Sequence, residues 1–92
     1  MQFVIHAHDK ADGSERRAPL RETHHDYLNR HQQIFIARGP LLDDGGERII
    51  GTLIMIDVAN KAGAEAFWAD LPFNRGGVYE RATMERWRFG HV

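Results

Sequence analysis

RIIGTLIMIDV, residues 48–58, is a long run of β-branched and apolar residues. Its apolar side chains occupy consecutive positions, so the pattern predicts a strand buried on both faces. Just before it, Asp43-Asp44-Gly45-Gly46 predicts a hairpin turn, because glycine supplies the positive φ that tight loops require. That turn leads back to a short strand at residues 40–42. Beyond the long run, Asn60 can accept from a free amide of a first helical turn and so start a helix over residues 61–70. Phe67, Trp68 and Leu71 give this helix its packing face, and Pro72 ends it. Gly76-Gly77 is a turn, and residues 78–89, VYERATMERWRF, alternate as a half-exposed strand.

On the N-terminal side, residues 20–36 have helical spacing. At about 100° per residue, Leu20, His24, Tyr27, Leu28, His31, Ile34 and Phe35 share an arc of roughly 120°. Gly39-Pro40 predicts the stop of this helix. Residues 2–7, QFVIHA, form the first strand, and residues 9–14 turn away from it. The order is β-α-β-β-α-β. It predicts an α+β fold on the ferredoxin-like plan, a four-stranded antiparallel sheet with both helices on one face. The other face stays open, and a second copy of the chain is its simplest cover. Ninety-two residues make one domain, 1–92, and so short a chain buries only roughly 60–65% of its unfolded surface. Pairing as a homodimer offsets that deficit.

Twelve basic and thirteen acidic residues give a formal charge of −1, which excludes the concentrated positive field that nucleic acid demands. There are no cysteines, hence neither disulfides nor a thiolate metal site. No apolar run is long enough to cross a membrane, and the start of the chain lacks a basic-then-apolar leader. The cytoplasm is therefore the expected compartment. His6 and His8 alternate on the first strand and so share a sheet face. With Asp9 the only ligand type close by, they are expected to line a pocket rather than hold a metal ion. His24 and His31 are about 10 Å apart along a helix, too far to share a metal. The single serine, Ser14, has no nucleophile-elbow context.

A set of motifs in a fixed order then stands out: residues 4–10, VIHAHDK; Arg17; Arg21-x-x-His24; Ala37-Arg38-Gly39-Pro40; Gly51-Thr52; and Leu71-Pro72-Phe73-x-x-Gly76-Gly77-Val78-Tyr79. The pattern resembles the YciI-like (YCII-related) family over nearly the whole chain. The resemblance implies a dimeric α/β barrel with a pocket centred on a histidine and an aspartate. The family histidine maps onto His24, and the early aspartate onto Asp9. The acidic residue that relatives carry directly before the proline of Leu71-Pro72 is replaced by Leu71 here, and the nearest carboxylate, Asp70, lies one residue earlier.

The resemblance implies relatives of the dehydrochlorinase and muconolactone-isomerase kinds. Together with the residue readings it points to a small cofactor-independent enzyme, a lyase or isomerase. Its substrate would be a small aromatic or ring-derived organic acid. His24 would move the proton as general acid/base, since its pKa lies near the working pH. Asp70 or Asp9 would orient it. Arg21, one turn before His24, would hold an anion, and Thr52 would offer a hydroxyl. The alternative is a non-catalytic small-molecule-binding or accessory protein, in which His24 only gives the pocket polarity.

Overall fold

Along β1 (Gln2–Asp9), Phe3, Ile5 and Ala7 are buried while their neighbours are only half-buried. That alternation divides the sheet into two faces. The computed structural model describes residues 1–90, so the last two residues of the expected 1–92 domain lie outside the described part. β1 pairs antiparallel with β3 (Ile49–Asp57) on one side and with β4 (Tyr79–Arg86) on the other. β2 (Phe35–Leu42) adds to the outer edge of β3, giving the order β2-β3-β1-β4. Among the described residues there are four strands, all antiparallel, with helices on one face: the ferredoxin-like plan is present.

The helices are α1 (Gly13–Arg17), α2 (Arg21–Arg30), α3 (Lys61–Asp70) and α4 (Pro72–Arg75). Phe3, Ile5, Ile54, Ile56, Leu71 and Val78 are fully buried between them and the sheet. Each contributes roughly 1.5–3 kcal/mol by leaving water. α3 starts as the sequence predicts: Asn60 Oδ1 accepts from the Gly63 amide at 2.8 Å.

Several elements differ from the sequence reading. β3, expected to be buried on both faces, is buried at Gly51, Ile54 and Ile56 but only half-buried at Leu53 and Met55. Pro72, expected only to end a helix, opens α4. Residues 13–17 are helical rather than a turn, and a 3₁₀ turn at Ala18–Leu20 joins them to α2. The expected helix over residues 20–36 stops at Arg30. There the His31 ring Nδ1 approaches the Tyr27 carbonyl at 2.8 Å, and the His31 amide bonds Leu28 instead, tightening the last turn. His31 is thus a helix-ending residue. The strand expected at residues 40–42 begins at Phe35, so Gly39-Pro40 lies inside it. Proline is tolerated because β2 is an edge strand, where one amide need not join the ladder.

Gly51 shows why the central pair packs so closely. A Cβ there would overlap the Ala7 carbonyl oxygen across β1 and the Leu41 side chain across β2. No helix among the described residues is long and apolar enough to cross a membrane.

Candidate active site

Between α2, the β2–β3 edge and α4 lies a cavity of about 340 Å³. Its polar lining comes from Arg17, Arg21, His24, His25, Arg38 and Thr52, and its apolar wall includes Leu28, Ile54 and Phe73. Among the described residues, no aspartate or glutamate lines it. The cavity is mostly apolar, and its charged lining is basic.

His24 sits on the buried side of α2 with 5% of its surface exposed. Its ring stacks on Phe73, with centroids 3.5 Å apart and planes within 6°. The Phe73 backbone N–H donates to Nδ1 at 3.3 Å. That amide belongs to the first turn of α4, where backbone donors have no partner within the helix. Leu71, at the N-cap, has no side-chain acceptor to offer, so His24 caps α4 in its place. Because Nδ1 accepts, the neutral ring carries its proton on Nε2. Burial pushes the His24 pKa down from 6.5 to about 4, helped by His25 and by the guanidinium groups of Arg17 and Arg38. At pH 7 the ring is neutral and its Nε2–H is a donor.

Arg17, on α1, is 6% exposed and is held on several sides. Its Nη2 donates to Asp9 Oδ1 at 3.0 Å, to Thr52 Oγ1 at 3.1 Å and to the Gly51 carbonyl at 3.3 Å. Its guanidinium also lies over the rings of Phe73 and Tyr79. Tyr79 OH and Thr52 Oγ1 are 2.8 Å apart, extending the network. Burial raises the Asp9 pKa even though Arg17 pulls it down, and Asp9 Oδ2 is enclosed without a partner. Gly13 closes over that carboxylate, since a Cβ there would meet Oδ2 at 2.6 Å. Among the described residues, Asp9 Oδ2 and Arg17 Nε are the only enclosed side-chain polar atoms lacking a bond. Arg17 Nη1 and His24 Nε2 also have no bond to a described residue but are not enclosed, and both residues line the cavity.

Of the residues singled out in the sequence, the structure brings His24, Arg21 and Thr52 together on this cavity. Asp9 stands behind Arg17, gripping it, and is not part of the lining. Asp70 is exposed at the end of α3 and lines no part of the cavity; its charge is felt at Tyr27. His6 and His8 lie on the opposite sheet face. They alternate with buried Ile5 and Ala7, and pair with Leu53 and Thr83 and with Gly51 and Arg81. Their rings meet edge to face at 4.6 Å. The pocket-lining expected of them is therefore corrected by the two-residue period of the strand. No group of three potential ligands around a metal site occurs among the described residues.

Arg17 and Arg38 were not among the expected site residues. For Arg17 a signal was present: positions 17, 21 and 24 follow the i, i+4, i+7 spacing of one helical face. Arg38 offers no such signal, since its strand looked like the end of a helix.

The chain matches the YCII-related domain over residues 1–88. It belongs to that family. Among curated YCII-related proteins, Protein YciI of Escherichia coli O6:H1 is 31% identical, over 92% of this chain and 94% of its own length. Among solved structures, the 5-chloro-2-hydroxyhydroquinone dehydrochlorinase of Burkholderia phenoliruptrix AC1100, in complex with 2,5-dihydroxybenzoquinone, superposes with a TM-score of 0.89. It is 22% identical, and the match covers 98% of this chain and 96% of that one. An antibiotic biosynthesis monooxygenase gives a TM-score of 0.51 at 13% identity, with 91% and 92% covered. The YCII-related chain thus shares its ferredoxin-like α/β architecture with these two enzymes.

The depressed His24 pKa makes a stability prediction. Between pH 6.5 and about 4 the unfolded chain binds a proton that the folded ring refuses. The His24 contribution is complete above pH 6.5 and is lost as pH falls toward 4, up to about 3 kcal/mol. Asp9 acts in the opposite sense: with its folded pKa raised, its contribution grows as pH falls through that value. Urea unfolding of the wild type should show a lower midpoint at about pH 5 than at about pH 7.5. A His24→Phe protein should show a smaller difference, and an equal one would refute the assignment.

Proposed function

We propose that this protein is a small enzyme, a lyase or isomerase acting without a cofactor on a ring-derived oxyanion such as a phenolate, enolate or ring acid. One observation carries the reading: a neutral histidine and a buried arginine, each with an unbonded nitrogen that is not enclosed, line the same apolar-walled cavity. Elimination and isomerisation of such rings remove a ring proton, which would pass to water, since the lining holds no carboxylate and His24 Nδ1 is engaged. They pass through an enolate, in which negative charge gathers on a carbonyl oxygen. Fixed donors aimed at that oxygen lower the barrier, because they need no reorganisation as charge develops. His24 is in this reading an electrophile, a hydrogen-bond donor to the oxyanion. The general-base role is disfavoured, since its Nδ1 lone pair is engaged by the Phe73 amide. Arg17 holds the charge, and Asp9, Thr52 and Tyr79 position Arg17. The likeness to a dehydrochlorinase supports the lyase side of the proposal. A non-catalytic binder is the second reading, favoured by the lack of a carboxylate base in the cavity lining.

The test is solvent-deuterium exchange, followed by proton NMR, on 2-hydroxyquinones, cyclic 1,3-diketones and ring keto acids. The protein should accelerate carbon-bound exchange of at least one class. Binding of these compounds with no accelerated exchange anywhere in the panel would establish the binder instead. The same proposal includes a cytoplasmic homodimer, formed on the helix-free sheet face, where Val4, Leu53 and Met55 are half-buried without a cover.

A further inference from the structure

Three guanidinium groups line the cavity, and their charges are balanced very differently. Arg17 is matched by Asp9 at 3.0 Å, so the inner wall is neutral overall although the Arg17 Nη1 has no bond to a described residue. Arg21 and Arg38 are exposed at the rim, and neither guanidinium has an ion pair or hydrogen bond with any described residue. The Arg38 guanidinium rests 4.7 Å over the Phe35 ring, which holds it at the β2 edge. Arg21 extends from the first turn of α2. With His24 neutral and no carboxylate in the lining, the rim carries two uncompensated positive charges above an apolar wall. The positive potential reaches inward, since Arg38 and Arg17 both depress the His24 pKa after burial and His25. Two positive charges beside low-dielectric walls select for negative charge more strongly than the same charges in open water.

We propose that the ligand is a dianion, a ring diacid with its apolar ring against Leu28, Ile54 and Phe73. One acid group would reach Arg17 and Thr52 inside, and the second would be clamped by Arg21 and Arg38 at the rim. The inference rests on the reading that this cavity binds a ring oxyanion, and it adds the second charge. Both arginines present planar donor forks suited to a carboxylate, which a lysine pair would not match.

Calorimetric titration of the wild-type protein with benzoate, phthalate, isophthalate and terephthalate tests it, with the uncharged isophthalamide as control. At least one diacid should bind about tenfold or more tightly than benzoate. That advantage should shrink at high salt, because the rim charges are exposed. In an Arg21→Met/Arg38→Met protein, with folding checked by circular dichroism, the diacid should lose its advantage over benzoate. Benzoate binding as tightly as every diacid overturns the dianion while leaving the oxyanion cavity standing. Survival of the preference in the double variant overturns it as well. Failure of every ring acid to bind overturns both readings together.

Discussion

Arg17→Met is expected to lower the free energy of unfolding by about 3–5 kcal/mol, the usual loss when one partner of a buried ion pair is removed. The side chains of Arg17 and Asp9 are 7% and 6% exposed, so water cannot replace the lost cation. Three hydrogen bonds disappear with the guanidinium, including those that tie α1 to Gly51 and Thr52 on β3. The loss should shrink in acid, because Asp9 already has a raised pKa and escapes its isolation by taking up a proton. Denaturant unfolding at two pH values measures this. Adding Asp9→Asn to Arg17→Met should restore part of the stability, since it removes the stranded charge and keeps the shape. A single variant within about 1 kcal/mol of wild type would mean that the pair contributes no more than a surface contact.

His24→Leu should reduce turnover of an exchange-active substrate by about 10²–10³-fold, the typical effect of deleting one donor to a developing oxyanion. Ring-acid binding should weaken far less, because Arg17 and the apolar wall remain. The variant should also be less stable, by about 1–3 kcal/mol, with the Phe73 amide left unpaired inside the protein. A purely structural histidine would lower stability and leave turnover intact. The ratio of kcat loss to stability loss therefore separates the two roles, and unchanged kcat in a folded His24→Leu protein would end the electrophile assignment.

Hydrophobic periodicity made most of the fold legible. Residues 48–58, the Asn60 cap and the six-element order all identify structures that form from nearby residues. The errors came where a side chain competed with the backbone, as at His31, or where sheet position mattered, as at Pro40 on the edge strand. The site was half legible. His24 lies on an apolar helical face and could be picked out from it. Its bond to Phe73, forty-nine positions away, has no sequence signature. The same holds for the grip of Asp9 on Arg17, and for the face on which His6 and His8 fall, which depends on which side of the sheet the helices cover.

The apolar N-cap of α4 has a consequence for how this protein could change its chemistry. Leu71 is fully buried and leaves a helical amide for the imidazole to accept. The protonation pattern of His24 is consequently written by the main chain and not by an acid. Any change that supplied α4 with its own cap, or let its single turn fray, would free Nδ1. The same ring would then pass from donor to base with no substitution at position 24.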